Sequence, residues 1–141
     1  MTTTTLETTI PTTTTAPFPG GVRGTPNVLL RLEGAALLAL ATLAYAQLGA
    51  GFGVYAALFL VPDLAFIGYL AGPRIGAIAY NATHALVGPT ALFALSYAMP
   101  ALLPYALIWA AHVGFDRMLG YGLKYDTAFG HTHLGEVGRR A

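Results

Sequence analysis

The chain has 141 residues, of which 55% are hydrophobic and only 9% charged, and its formal net charge is +1. So few charges cannot solvate the exterior of a soluble domain of this length, and so small a net charge provides no basic field for nucleic acid. The absence of cysteine excludes disulfides, thiolate nucleophiles and Cys-based metal sites.

Residues 1–27 come first and are unlike the rest. Ten of the first fifteen residues are threonine, and proline and glycine follow. No basic stretch precedes an apolar core, so the segment is not a signal peptide. It has too little apolar area to offset the entropy of ordering, and is expected to be a disordered, solvated tail.

Four apolar blocks then follow, and the mean hydropathy of the chain is +0.61. A helix needs roughly 20 apolar residues to cross a bilayer. The expected spans are 28–48, 52–71, 75–98 and 101–121. The first is rich in Leu and Ala, both strong helix formers. Glycines at 49, 51 and 53 mark the turn after it. Pro62 falls inside the second span, where it is expected to kink the helix and free a carbonyl for a neighbour. Gly72-Pro73-Arg74 is the next turn, and Pro100 and Pro104 open the fourth span, where an early proline is tolerated. Gly120 or Gly122 is expected to end it. Residues 122–141 remain as a carboxyl segment. Connections this short make the helices antiparallel neighbours, so the expected fold is all-α: an integral membrane bundle of four antiparallel transmembrane helices.

The basic residues orient this bundle. Arg23 and Arg31 lie at the amino end, Arg74 in the loop between spans two and three, and Lys124, Arg139 and Arg140 in the carboxyl segment. The other two loops carry no Lys or Arg. All of these residues fall on one side, which the positive-inside rule makes cytoplasmic. The expected location is the inner membrane, with both termini in the cytoplasm. Tyr121, Lys124 and Tyr125 read as interface anchors. Asn81-Ala82-Thr83 fits a glycosylation sequon, but it lies within a span and is a chance match.

Polar residues inside spans are costly and face the bundle interior or a cavity. Counted from the cytoplasmic ends, Glu33, Asp63, Asn81, His84, His112 and Asp116 lie about five to nine residues deep, or roughly 7 to 14 Å at 1.5 Å per residue. Asn81 and His84 are i,i+3, and His112 and Asp116 are i,i+4, so each pair shares a helix face. Small residues, Gly34, Ala35, Ala36, Gly72 and Gly76, allow close helix approach. A single pocket in the cytoplasmic half is therefore expected from Glu33, Asp63, Asn81, His84, His112 and Asp116. His131 and His133, in the carboxyl segment, are candidates for a lid over it.

Three functions fit this set. The first is a binding or structural membrane protein whose polar cluster fixes packing and holds a small ligand. The second is a metal-dependent membrane enzyme acting on a lipid-like substrate, with Asp63, His84, His112 and Asp116 holding a divalent metal such as zinc, iron or manganese and Glu33 as base. The third is a small transporter or proton path, disfavoured by the lack of internal repeats and of polar residues in the outer half. No HExxH or comparable motif selects among them. The expected partners are the lipid bilayer, an unidentified small molecule and a second copy of the chain.

The strings RLEG (31–34), PDL (62–64), GYLAGPRIGAIAYNATH (68–84), HVGFDRMLGYGLKY (112–125) and THLG (132–135) resemble a family of small bacterial integral membrane proteins of unknown function. The resemblance covers about residues 29–135. GFDRxxGYGLKY is its most specific part. It implies a four-helix membrane protein and carries over no activity, substrate or cofactor.

Overall fold

The structure is a computed structural model and describes residues 19–138. The threonine-rich stretch 1–18 and Arg139 and Arg140 lie outside the described residues. Among those described, the regular elements are helices apart from one hairpin of two-residue strands and an isolated bridge between Lys124 and Thr132. Helix α1 is Thr25–Gln47. Helix α2 is Phe52–Phe59, and the chain continues as a 3-10 helix over Val61–Ala71. Then come α3, Pro73–His84, and α4, Val87–Leu95. A 3-10 turn at Pro100–Leu102 leads into α5, Leu103–Leu119. Strands β1, His131–Thr132, and β2, Gly135–Glu136, pair antiparallel.

The prolines explain where the helices change. Pro62 has no N–H, so the carbonyl of Leu58 loses its α-helical donor, and the backbone leaves α geometry at Leu60 for a 3-10 helix of eleven residues. The expected third span is also broken, at Ala85 and Leu86, and the residue responsible is Pro89. It cannot donate to the carbonyl of Ala85, and Ala85 is extended, at φ −78° and ψ 141°. The break frees the carbonyl of Thr83 as well, and the indole Nε1 of Trp109 donates to it at 2.5 Å. A neighbouring helix thus satisfies a carbonyl released inside an apolar segment. Of the two glycines expected to end α5, Gly120 does so. It adopts a left-handed φ of 93°, Tyr121 N–H bonds to Asp116 O and Gly120 N–H to Arg117 O.

Helix α5 is the hub. It packs along α1 and also meets α2 and α4, while α3 packs on the 3-10 helix 61–71. Its buried residues include Ala106, Ile108, Ala111, His112, Val113, Gly114 and Asp116. Two glycines set the α1–α5 separation. A Cβ on Gly114 would lie 2.6 Å from Leu38 N and 2.8 Å from Gly34 O, and one on Gly34 would lie 2.7 Å from Met118 N. These helices meet backbone to backbone. Of the other small residues, Gly76 makes room for the ring of Tyr69, whereas Gly72 has open space around it and serves a backbone turn at φ 106°.

Two helical stretches, Thr25–Gln47 and Phe52–Ala71, are long and apolar enough to cross a membrane. Their side chains are mostly outside the core, at 17% and 6% buried. Apolar exposure continues on the other elements, with Ile75, Ile78, Val87, Phe93 and Leu95 all exposed.

Order begins earlier than the expected boundary at Val28. Val22 N–H bonds to His133 O at 2.8 Å, Tyr125 Oη–H to Gly20 O, and the Asn27 amide to Val22 O and Leu134 O. The physical reason is partnership: residues 20–27 gain donors and acceptors from the carboxyl segment that a free tail would lack.

Candidate metal centre

Four of the expected pocket residues meet. Asp63 lies in the first turn of the 3-10 helix, His84 ends α3, and His112 and Asp116 stand one turn apart on α5. One ligand atom from each lies within 4.8 Å of all the others. His84 Nε2 is 3.0 Å from His112 Nε2, 3.4 Å from Asp63 Oδ1 and 3.4 Å from Asp116 Oδ2, and His112 Nε2 is 3.6 Å from Asp63 Oδ1. Both imidazoles and Asp116 are buried, and Asp63 is the open member, with its side chain 33% exposed. Sequence breaks place these groups. The switch at Pro62 turns Asp63 toward α3, and the end of α3 leaves His84 at the terminal turn, beside the bend.

The protons on these groups follow from their partners. His84 Nδ1 faces the carbonyl of Tyr80 at 2.9 Å, and a carbonyl only accepts, so Nδ1 carries a proton and, in the neutral ring, Nε2 presents its lone pair to the cluster. At most one proton therefore lies between the two Nε2 atoms. His112 Nδ1 is buried with no hydrogen-bond partner. The converging atoms are acceptors nearly throughout, two imidazole nitrogens and two carboxylate oxygens, with the Tyr80 hydroxyl as a donor to Asp116 Oδ2 at 2.6 Å. Metal–ligand bonds of about 2.0–2.2 Å set adjacent ligand atoms about 3.0–3.6 Å apart. Four of the six separations, 3.0 to 3.6 Å, fall in that range, and all six lie within 4.8 Å, so the four residues suit a divalent transition metal in ligand type, with a small inward movement of Asp63 and Asp116 needed to complete the shell.

Tyr80 was not foreseen among the site residues. It holds two of the four at once. Its carbonyl fixes the His84 tautomer, its ring stacks on that imidazole with centroids 3.6 Å apart at 11°, and its hydroxyl binds Asp116. The signal was present in the i,i+4 spacing of Tyr80 and His84. Thr83 supports the same corner, donating to Pro62 O at 3.1 Å next to Asp63.

Two expected pocket members lie elsewhere. Glu33 is exposed on α1, and its charge acts on Arg117 rather than on the cluster. The adjacent Gly34 faces α5, and one residue along a helix is a turn of about 100°, which carries Glu33 off that face. Asn81 is committed to the carboxyl segment: its Nδ2 donates to Lys124 O at 2.8 Å and its Oδ1 accepts from Lys124 N–H at 2.7 Å.

The carboxyl segment does fold back, but not through the expected histidines. His133 Nδ1 accepts from Leu123 N–H at 2.7 Å, and His131 Nδ1 lies 2.8 Å from Thr127 Oγ1. Lys124 is the residue that enters. It is not an interface anchor, being only 5% exposed. Its Nζ donates to Phe129 O at 2.8 Å and stands 3.9, 4.9 and 5.7 Å from the ring centroids of Phe129, Tyr80 and Phe66. Burial pushes its ammonium below the usual lysine range, and the charge of Asp116 opposes that shift. The Asn81 clamp makes this placement obligatory, because it fixes the Lys124 backbone against α3.

No curated protein and no solved structure matches the chain. Residues 27–137 match the family model described as Domain of unknown function (DUF4260), a span that takes in all of the α-helices but the first two residues of α1, the four clustered residues and the carboxyl hairpin, and the chain belongs to that family.

Proposed function

We propose that the protein is a multi-pass inner-membrane protein that binds one divalent transition-metal ion through Asp63, His84, His112 and Asp116. The observation that carries the metal reading is the cluster itself: four ligand atoms within 4.8 Å, rich in acceptors and poor in donors, on side chains that are mostly buried. A purely structural network would pair acceptors with donors. Here a cation is the group that satisfies them together. The enzyme reading loses its candidate base, since Glu33 stands apart, and binding is therefore preferred over catalysis.

Membrane residence is supported by exposed apolar side chains on every long helix, such as Leu70 at 89% and Val87 at 77%. Water would not tolerate so continuous an apolar surface. Four helical rods, 25–47, 52–71, 73–95 and 100–119, are proposed to span the bilayer antiparallel. Contact between residues 20–27 and the carboxyl segment accords with both ends on one side, and Arg23, Arg31, Arg74 and Lys124 make that side cytoplasmic.

The test is elemental analysis of protein purified without chelators, as wild type and as His112→Ala. One metal ion per chain in the wild type, lost in the variant, is expected. A metal-free wild type that takes up none of zinc, iron or manganese on addition would overturn the metal reading. Reporter fusions at residue 141 test topology: activity only outside the cytoplasm would refute the orientation.

A further inference from the structure

Lys124 is a buried charge that metal ligation does not explain. We infer that the Lys124 ammonium and a divalent ion compete for the negative charge of Asp116, so that metal binding loosens the carboxyl segment and closure of that segment weakens metal binding. This rests on the metal reading above and adds regulation to it.

The argument is one of position and charge. The ammonium sits over the Tyr80 ring at 4.9 Å, and the hydroxyl of that ring is 2.6 Å from Asp116 Oδ2. One aromatic residue thus separates the cation from a ligand carboxylate. Aromatic faces attract an ammonium but do not neutralise it, and its hydrogen bond goes to an uncharged carbonyl, that of Phe129. The two carboxylates bring two negative charges. Lys124 offsets one of them, and a divalent ion offsets both. With the ion in place the centre is neutral, the ammonium loses its attraction, and it faces the like charge of the metal in a site of low dielectric. Coupling of this kind is reciprocal: whatever factor the ion imposes on Lys124, Lys124 imposes on the ion.

The backbone transmits the effect. Lys124 is tied to Asn81 by both its N–H and its carbonyl, and it forms a β-bridge with Thr132. Thr132 ends β1, and His133 and Leu134 in the hairpin turn hold Val22 and Asn27. An ammonium displaced from the Phe66, Tyr80 and Phe129 rings pulls on the segment that closes the cytoplasmic end. The segment then reports metal occupancy at the membrane surface.

Two measurements on the full-length protein in lipid nanodiscs decide this. In Zn2+ titrations, Lys124→Met, which keeps the apolar stem and removes the charge, is expected to bind at least about tenfold more tightly than wild type, within the usual range of coupling between sites. In hydrogen exchange of the wild type, amides of residues 121–135 are expected to exchange faster with Zn2+ than without it, and this change is expected to vanish in His112→Ala. The wild-type measurement stands even where Lys124→Met does not fold. Unchanged or weaker Zn2+ affinity in Lys124→Met, or unchanged or slower exchange on Zn2+ addition, overturns the competition while leaving the metal centre in place. A wild type that binds no Zn2+, iron or manganese overturns both.

Discussion

Gly114→Ala is the sharpest test of the packing that builds the centre. Gly114 lies between His112 and Asp116 on α5, against α1. An added methyl would stand 2.6 Å from Leu38 N and 2.8 Å from Gly34 O, where ordinary contact begins at 3.4 Å. Both obstacles are helix backbone and cannot rotate aside, so α1 and α5 must separate by about 0.6–0.8 Å to reach ordinary packing distance. Overpacking of this kind costs about 1–3 kcal/mol, and alanine returns up to about 1 kcal/mol of helix propensity. The clash wins, with a net loss of about 1–2 kcal/mol. Gly53→Ala is the matched control: nothing lies within 4 Å of its added Cβ, and its φ is not in the left-handed region. That variant is expected to be neutral or up to about 1 kcal/mol more stable. The same substitution thus has opposite signs at two helical sites.

The assay is equilibrium unfolding of both variants in the same detergent, read by far-ultraviolet circular dichroism. Metal affinity provides a second readout, because a shift of α5 moves two ligands by more than the roughly 0.2 Å that a metal site tolerates. Gly114→Ala as stable as Gly53→Ala would refute the backbone-to-backbone contact between α1 and α5.

Tyr80→Phe keeps the ring stack and the carbonyl but deletes the hydroxyl bonded to Asp116. A hydrogen bond to a charged group contributes about 1.5–3 kcal/mol, and loss of a group that orients a ligand typically weakens metal binding 10–100-fold. Wild-type stability and affinity in this variant would remove Tyr80 from the site. Asn81→Ala leaves the Lys124 N–H and carbonyl unmatched, at a cost of about 1–3 kcal/mol. Hydrogen exchange is expected to rise across residues 121–135 and to stay unchanged in α1; a uniform rise would mean that Asn81 holds the whole fold. Protease sensitivity of the carboxyl segment is expected to depend on pH through His133. Burial pushes this imidazole below its usual range, the Leu123 backbone opposes that shift, and the Arg117 charge reinforces it. Only a neutral ring can accept the Leu123 N–H. The folded pKa is thus depressed, so the stabilisation is present above the unfolded value of about 6.5 and is lost as pH falls through the folded one. His133→Gln, which does not titrate, is expected to flatten that profile between about pH 7 and pH 5. An unaltered profile would assign the dependence to another group.

Much of the helical layout was legible because it rests on local chemistry. Gly120 or Gly122 was identifiable as the end of α5 from glycine's access to positive φ, and the observed cap uses that freedom at Gly120. The change at Pro62 was legible in kind, although a 3-10 helix of eleven residues is a tertiary outcome. The break at Ala85 required following Pro89 back four residues to the carbonyl it cannot serve. Lys124 was misread for a different reason. A lysine after an apolar span is usually an anchor, and only the Asn81 clamp, 43 residues away, turns it inward.

The centre itself exposes the limit of reasoning by depth. Depth along a helix follows from residue number, so Glu33 and Asn81 share a level with Asp63, His84, His112 and Asp116. Direction around the helix follows from what that helix packs on, and here two glycines decide it for α1. Gly34 must face Gly114 for the backbones to meet, which turns Glu33 outward toward Arg117. On α5 the same contact leaves His112 and Asp116 directed at α3 and the 3-10 helix, where Asp63 and His84 wait at two proline-dependent breaks. Replacement of Gly34 by a larger residue is therefore expected to disturb the proposed metal centre even though no atom of Gly34 belongs to it. The wall that brings α5 close enough to present both ligands is made by the residue without a side chain.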